Sequence, residues 1–287
     1  MKRMFLWIMT NMAIILVISV ILQVTGLNKY LSGRGGYLGL FIACGVIGFV
    51  GSFISLLLSK TMAIRGMGVQ VITNPRNNQE RWLVETVRRQ ADMAGIGMPD
   101  VGIFDSPDPN AFATGANRNS ALVAVSAGLL QQMNADEVEA VLGHEIAHVA
   151  NGDMVTMTLL QGVINTFVMF FARIIASRVA SDSNGNVNNG LYFIIVIVLQ
   201  ILFGFLASII TSAFSRHREF RADEGGARFA SSAKMIAALE ALQRQQQPQD
   251  LPEGLAAFGI SGKMSSLFSS HPPLEKRIAA LKSQQHF

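Results

Sequence analysis

Long apolar runs dominate the sequence and predict membrane helices. Four runs, at residues 5–25, 37–59, 154–177 and 191–214, carry few charges. Each holds about twenty residues or more, which is the length a helix needs to cross a hydrocarbon core of roughly 30 Å. The first run is longer than the apolar part of a signal peptide, so we interpret it as a retained anchor. For the third and fourth runs, a buried hairpin of core helices is the alternative interpretation.

The two remaining segments, 60–153 and 215–287, predict a globular domain made in two halves. Together they are long enough to bury a core of their own. The first half combines helical spacing with short β-prone stretches, and the second is helical. The predicted helices are 77–94, 134–150, 216–230, 233–246 and 273–283, and the predicted strands are 101–104, 111–114 and 122–126. We therefore predict an α+β, mainly α-helical, integral membrane protein.

This pattern divides the chain into four parts. Residues 1–59 form two N-terminal transmembrane helices, 60–153 the first half of the globular domain, 154–214 a transmembrane hairpin and 215–287 the second half. The hairpin thus interrupts the globular domain, and its two ends meet the two halves.

Composition and charge agree with a membrane protein. Half of the residues are hydrophobic, and the mean hydropathy is +0.37. The net charge is +4, but the basic residues flank the apolar runs and form no single patch, so nucleic acid is not an expected partner. Lysines and arginines are more frequent on the side that holds the N-terminus, residues 60–153 and the C-terminus, which predicts that this side faces the cytoplasm. The single cysteine, Cys44, excludes a disulfide within the chain.

A metal-binding motif lies on the predicted helix that ends the first half. Asn134 and Glu137 form a capping-box pattern at its start, and Asn151-Gly152 is a typical end. His144 and His148 are one turn apart on the same face, so both imidazoles can bind one zinc ion. Glu145 lies beside the first histidine, where its carboxylate can reach a water on the metal.

A third ligand is needed because a catalytic zinc site uses three protein groups and leaves one position open. Glu219 is the candidate. Glu219 and Asp223 are four residues apart on a predicted helix, so one can bind the metal while the other accepts the N–H of a ligand histidine. The alternative is an exposed charged helix whose acidic residues pair with nearby arginines.

The motifs together resemble a known family. His-Glu-x-x-His followed by Glu-x-x-x-Asp on a later helix is similar to the gluzincin metallopeptidases. The stretches NAFATG at 110–115, HEIAHVANGD at 144–153, SRHREFRAD at 215–223 and HPPL at 271–274 resemble the HtpX family of bacterial membrane zinc metallopeptidases, which are related to the CAAX prenyl peptidase Ste24. The resemblance covers nearly the whole chain, including the four runs.

The resemblance implies a role for each matching residue. His144, His148 and Glu219 would hold one zinc ion per chain, Glu145 would be the general base and Asp223 would support His144. The fold it implies is a zincin-like cytosolic metallopeptidase domain split by a hydrophobic hairpin.

Two further elements are candidates for substrate contacts. His271, in the HPP motif, could donate to the oxyanion or occlude the metal as a fourth ligand, and a structural loop histidine is the alternative. His217 and Arg277 are weaker candidates for the oxyanion. Asn110, Ala111 and Phe112 begin a stretch that could pair with an extended substrate, a role that the resemblance supports; a plain turn after Pro109 is the alternative.

These observations predict a zinc endopeptidase that acts at the cytoplasmic surface of a bacterial inner membrane. The hairpin begins directly after Asp153 and ends at Phe214, so both of its ends are close in sequence to motif residues. The site should therefore lie near the membrane surface and reach membrane proteins and unfolded chains. The resemblance adds quality control of damaged membrane proteins under stress, and self-cleavage and homo-oligomers are further expectations. A catalytically silent scaffold, a metal transporter or channel, and a prenyl-protein peptidase are the competing hypotheses. No acidic residue or histidine lies inside the four runs, which argues against an ion path.

Overall fold

The computed structural model describes residues 27–183, 185–246 and 271–284, so the predicted first apolar run, 5–25, lies outside the described residues. The described helices and strands come in the following order: α1 Leu27–Gly66, β1 Gln70–Val71, α2 Asn78–Ala94, β2 Asp100–Phe104, β3 Ala111–Thr114, β4 Leu122–Ser126, α3 Ala127–Gln132, α4 Ala135–Asn151, α5 Asp153–Val179, α6 Asn189–Phe229, α7 Ser232–Gln246 and α8 Leu274–Gln284. The predicted mainly helical class with a small sheet is confirmed.

Three helices in the described part of the chain are long and apolar enough to cross a membrane. They are Gly36–Gly66, Asp153–Val179 and Asn189–Phe229. They contain the second, third and fourth apolar runs. Many of their large apolar side chains are exposed, among them Val46, Phe171 and Ile194, as is expected of side chains that contact lipid.

The chain divides into two compact units, which are considered one at a time. One comprises Met1–Ser55 and Met157–Ala213, and the other Leu56–Thr156 and Phe214–Phe287. In the first unit, α1 and α5 approach closely at glycines. A Cβ on Gly48 would lie 2.9 Å from the Gly162 carbonyl oxygen, and one on Gly162 would lie 2.8 Å from the Phe49 ring. Small residues at such crossings let membrane helices pack tightly without a hydrophobic driving force.

The second unit contains a four-stranded sheet in the order β1-β2-β4-β3. β2 and β4 are parallel, while β1 and β3 are antiparallel to their neighbours. The central strand β4 is buried along its whole length, as the β-prone run predicts. β3 lies at one edge of the sheet, and among the described residues it pairs with β4 alone.

Helices cover both faces of this sheet. Val123 and Val125 of β4 face a large core shared by α2, α4, α7 and α8, with Leu83, Leu142 and Leu239 at its centre. Leu122 and Ala124 point the opposite way, as alternation along a strand requires. They pack with Phe104 and Phe112 and with Ala63 and Ile64, near the end of α1.

Capping residues fix the bounds of α4, the helix that carries the metal motif. The predicted capping box is present: the Asn134 side chain accepts from the Glu137 N–H at 3.0 Å, and Glu137 accepts from the Asn134 N–H at 2.9 Å. The helix ends at Gly152, which has φ 68° in the left-handed region that glycine adopts without strain. Both predicted ends of this helix are confirmed.

Two parts of the pattern differ from the prediction. The strand β1 and the short helix α3 were not predicted, because elements of two and six residues leave no periodicity to detect. The predicted helix at 216–230 is the last part of α6, which continues without a break from the fourth apolar run. No glycine or proline separates Phe214 from Arg216, so nothing in the sequence ends the helix there.

Close packing of α4 on α6 depends on Gly225 and Gly226. A Cβ on Gly225 would lie 2.3 Å from the Ala147 Cβ, closer than real carbon atoms approach. A Cβ on Gly226 would lie 3.1 Å from the His144 nitrogen and 2.9 Å from the Met235 sulfur. These glycines therefore let the backbones of the two helices come within contact distance.

This packing leads to a first prediction. Gly225→Ala should lower the melting temperature and destabilise the fold by about 1–3 kcal/mol, because the new methyl group overpacks the contact with Ala147. Gly204→Ala is the matched control on the same helix, since its Cβ would meet nothing within 4 Å. The control should be neutral or slightly stabilising, because alanine is the better helix former by about 1 kcal/mol. Thermal unfolding in detergent measures both, and equal melting temperatures would contradict the prediction.

Candidate metal centre

The two histidines of the motif converge on one point. His144 and His148 lie on the same face of α4, and their Nε2 atoms are 3.1 Å apart. His144 is buried, and the His148 side chain is 13% exposed. The two rings are perpendicular, with centroids 4.7 Å apart. Their Nε2 lone pairs can therefore be directed at one common ion.

Glu219 of α6 completes a group of three donors. Its Oε2 is 3.6 Å from His144 Nε2, and its Oε1 is 3.5 Å from His148 Nε2. The ligand atoms of all three residues lie within 4.8 Å of one another, so they could hold a metal ion. Two imidazoles and one carboxylate suit zinc, which accepts nitrogen and oxygen donors in tetrahedral geometry. The structure thus brings together the three residues that the sequence singles out as ligands.

Asp223 lies behind His144, on the far side of the ring from Glu219. Its Oδ1 is 3.0 Å from His144 Nδ1. Arg277 of α8 binds this carboxylate with two nitrogens: Nε donates to Oδ2 at 2.7 Å and Nη2 to Oδ1 at 2.5 Å. A carboxylate at Nδ1 places the imidazole proton there and leaves Nε2 free to bind a metal. Arg277, a weaker candidate for the oxyanion, thus holds Asp223, and its Nη1 also lies 3.6 Å from Glu219 Oε2.

Asp153 occupies the matching position behind His148. Its Oδ2 is 2.6 Å from His148 Nδ1, and its side chain is only 3% exposed. Two arginines of α6, Arg218 and Arg221, lie near the same carboxylate. The sequence pattern does not single out Asp153 as a site residue. The available signal was an acidic residue directly after the Gly152 helix end, five residues from a ligand histidine.

The remaining predicted residues differ in how directly they contact the three donors. Glu145 is half-buried on α4, next to His144. His271 Nδ1 lies 2.6 Å from Glu219 Oε2, although the His271 side chain is 61% exposed. His217, the other weak candidate for the oxyanion, is exposed.

The predicted substrate stretch begins the edge strand. Ala111 and Phe112 are the first two residues of β3, and Asn110 precedes them directly. Asn110 is fixed to β4 because its carbonyl oxygen accepts from the Ser126 N–H at 2.8 Å and its own N–H donates to Ser126 Oγ at 3.0 Å. Ala111 and Ala113 pack against the core that contains α4, so this edge strand is a direct neighbour of the motif helix.

Charges in the site shift the pKa values of its residues strongly. Burial alone would raise the pKa of Glu219, but its contacts with His144 and His148 and its hydrogen bond with His271 outweigh burial and hold that pKa well below its usual range. Burial alone would lower the pKa of His148, but its hydrogen bond to Asp153 and its contact with Glu219, with the charge of Glu145, raise the pKa to about 9. The pKa of His144 is likewise raised, against burial, by Asp223 and Glu219.

Comparisons with known proteins agree with a metallopeptidase site. The model of peptidase family M48 matches residues 77–285. "Protease HtpX" of Pasteurella multocida (strain Pm70) is 56% identical over 290 residues, covering 100% of both chains. "Protease HtpX" of Thioalkalivibrio sulfidiphilus (strain HL-EbGR7) is 57% identical over 294 residues, covering 99% of this chain and 100% of the relative. This chain therefore belongs to peptidase family M48, whose members are metallopeptidases.

A solved structure supports the fold. The crystal structure of S. mikatae Ste24p is similar with a TM-score of 0.62 at 19% sequence identity. The similarity covers 93% of this chain and 66% of that one. At this identity the likeness shows a shared fold, in which apolar helices accompany a small sheet.

The raised pKa of His148 leads to a second prediction. A folded-state pKa of about 9, against about 6.5 for an unperturbed histidine, means that the metal-free protein carries the His148 proton at neutral pH. Zinc needs neutral rings, so binding should release this proton, and the apparent affinity should rise at least about tenfold per pH unit up to about pH 9, since the raised pKa of His144 can add a second released proton. The same shift stabilises the metal-free fold below about pH 6.5, and that contribution is lost as the pH rises through about 9.

Calorimetric zinc titrations in buffers of different ionisation enthalpy measure this proton release. The Glu145→Gln variant should be used, because Glu145 is the expected general base and its loss would keep the expected self-cleavage out of the titration. Zinc binding without proton release at neutral pH, or an affinity that stays constant between about pH 7 and 9, would contradict the prediction.

Proposed function

We propose that this chain is a zinc-dependent endopeptidase of the bacterial inner membrane that cleaves misfolded or damaged membrane proteins, and unfolded chains, at the cytoplasmic surface. The observation that carries this proposal is the group formed by His144, His148 and Glu219, with Glu145 on the same helix. The M48 family match and the relatives named Protease HtpX support the reaction class. The three apolar helices support the membrane location.

The chemistry assigns a role to each residue of the site. His144, His148 and Glu219 would hold one zinc ion, which supplies Lewis-acid polarisation of the scissile carbonyl and a water of lowered pKa. Glu145 would take the proton from the attacking water and deliver it to the leaving amine. Asp223, fixed by Arg277, would keep the proton of His144 on Nδ1.

His271 has two candidate roles. As an oxyanion donor it would stabilise the charge that develops on the carbonyl oxygen. As an occluding group it would occupy the fourth metal position in a resting state. Its 2.6 Å contact with Glu219 supports a place beside the metal, and its exposure supports movement of the side chain toward the substrate.

The open edge of β3 would hold the substrate as an added strand. The Ser126 N–H donates to Asn110 O, and antiparallel pairing alternates, so Phe112 and Thr114 also direct their backbone groups to β4. The N–H and C=O groups of Ala111 and Ala113 then point away from the sheet. Main-chain bonds to these two residues would align many different sequences, which suits an enzyme that degrades unfolded polypeptides.

The proposed membrane arrangement has four spans and a peptidase domain in two parts. Residues 1–59 and 154–214 would cross the bilayer, while 60–153 and 215–287 would form the cytoplasmic domain. The unbroken helix α6 supports this arrangement, because it contains both the fourth apolar run and Glu219. The excess of lysine and arginine near residues 60–65 and 216–221 supports the cytoplasmic orientation.

The proposed substrates follow from this location. A zinc site a few residues from the end of an apolar run would lie near the membrane surface. It would reach loops and juxtamembrane segments of membrane proteins, as expected for quality control under stress. A second copy of this chain offers such segments too, so self-cleavage and homo-oligomers belong to the proposal. A catalytically silent scaffold that binds metal is the competing function, and the intact Glu145 disfavours it.

The third prediction tests the catalytic role of Glu145. The parent and Glu145→Gln, purified in detergent with chelator and then supplied with zinc, should each bind one zinc per chain. Only the parent should degrade an unfolded protein or itself, because the amide cannot accept the proton of the water. The measurements are metal content and the appearance of peptide fragments.

The other outcomes separate the alternatives. If both proteins bind zinc and neither cleaves, the site is occluded or the protein is a scaffold, and His271→Ala distinguishes the two by restoring cleavage only in the occluded case. If neither binds zinc, the proposed ligands are wrong.

The fourth prediction tests the edge strand. Ala113→Pro removes an N–H that points away from the sheet and leaves the hydrogen bonds to β4 in place, so the fold and the zinc content should persist. The kcat/KM for an unfolded substrate should fall about tenfold, because one hydrogen bond to the substrate is lost. Thr114→Pro is the matched control: it removes an N–H directed at β4 and should lower the melting temperature instead. Unchanged cleavage by a folded Ala113→Pro variant would show that substrate does not pair with β3.

A further inference from the structure

We propose that Asp153 is a positioning residue of the metal centre: it holds the ring of His148 so that Nε2 faces the metal, and Arg218 and Arg221 hold Asp153. This inference rests on the proposed role of His148 as a ligand. Asp153 would then support His148 in the way that Asp223 supports His144.

The contact between Asp153 and His148 defines the orientation of the ring. Asp153 Oδ2 is 2.6 Å from His148 Nδ1. An ionised carboxylate only accepts hydrogen bonds, so the Nδ1 atom must be the donor and must carry the proton. In the neutral ring that zinc would bind, the Nε2 atom, which lies 3.5 Å from Glu219 Oε1 and 3.1 Å from His144 Nε2, then carries the free lone pair.

The end of helix α4 makes this contact geometrically possible. In an uninterrupted helix, residues five apart are separated by about 140° around the axis and do not face each other. Gly152 ends α4 in the left-handed conformation, φ 68°, and Asp153 begins α5 immediately afterwards. The change of direction between the two helices returns the Asp153 side chain to the His148 ring.

Two arginines of α6 compensate the buried charge of Asp153. Arg218 Nη1 donates to the Asp153 carbonyl oxygen at 3.1 Å and lies 3.9 Å from Oδ2. Arg221 Nη2 lies 3.5 Å from Oδ1. With 3% exposure, the carboxylate of Asp153 would be costly without such partners.

The two histidines are therefore supported in the same way. His144 has Asp223, which Arg277 holds, and His148 has Asp153, which Arg218 and Arg221 hold. In each case a buried carboxylate lies on Nδ1 and an arginine from a different helix lies behind it. Because the two arrangements match, we infer that Asp153 orients the metal ligand His148. Asp153 also lies in the first turn of α5, where a negative charge interacts favourably with the helix dipole.

The experiment compares metal binding in full-length Glu145→Gln protein in detergent, a background that limits self-digestion. Asp153→Asn is the test variant because it preserves the shape of the side chain and removes its charge. Zinc affinity is measured by competition with a chelator, and the ligand geometry by the visible absorption of bound Co²⁺. We expect Asp153→Asn to bind zinc about 10–100-fold more weakly, with an altered Co²⁺ spectrum.

The control is Asp136→Asn, which removes a carboxylate from the first turn of α4. Asp136 is 67% exposed and pairs with Lys234. This variant should bind Zn²⁺ and Co²⁺ as the background protein does. Asp153→Glu is a second test variant that retains the charge but displaces it, and it should give an intermediate affinity.

Two results would overturn the proposals, and they are distinguishable. If Asp153→Asn keeps both the zinc affinity and the Co²⁺ spectrum of the background protein, Asp153 supports only the start of α5 and the inference is wrong. His148→Ala in the same background tests the ligand itself. If that variant binds zinc as tightly as the background, the proposed metal site is wrong as well.

Discussion

The close contact between α4 and α6 is the constraint on which the site depends. The two histidines belong to α4, while Glu219 and Asp223 belong to α6. Short polar side chains span the distance between two helices only when the backbones are near each other. Gly225 and Gly226 permit this approach because they place no Cβ atom against Ala147 or His144. A bulkier residue at either position would move the carboxylates of α6 away from the histidines.

Buried charge is the second feature that shapes the site. Glu219, Asp223 and Asp153 have side chains 2–3% exposed, and each lies within reach of a histidine and an arginine. Removing one partner from such a group leaves an uncompensated charge, at a cost of about 3–5 kcal/mol. Substitution of any residue in this network should therefore be destabilising. The arginines support both the fold and the orientation of the histidines.

The residues of the candidate site that repeat with the spacing of one helical turn are predictable from the sequence. His144 and His148 are one helical turn apart, and so are Glu219 and Asp223, so each pair could be placed on one face of a helix. The capping box at Asn134 and the helix end at Gly152 are also predictable, because each depends on residues that are near one another in the sequence. The strands β2, β3 and β4 were visible as short β-prone runs.

Contacts that depend on tertiary geometry could not be predicted in this way. Asp153 reaches His148 because the chain changes direction at Gly152, and no periodic rule describes that change. The two hydrogen bonds from Arg277 to Asp223 are likewise absent from any local pattern, because they form only when α8 packs into the core beside α7. The length of α6 is hard to predict for the opposite reason: the composition changes from apolar to charged after Phe214, which suggests a boundary, whereas the backbone continues as one helix.

Stability alone does not explain why this cluster of charges is buried. Replacing a buried ion pair with well-packed hydrophobic residues is often neutral or stabilising. His144, His148 and Glu219 instead present three ligand atoms within 4.8 Å of one another, and a further carboxylate holds each histidine, an arrangement that suits a divalent cation. A scaffold that binds metal would need the same buried groups, so the residue that favours a peptidase over a scaffold is the intact Glu145 beside His144.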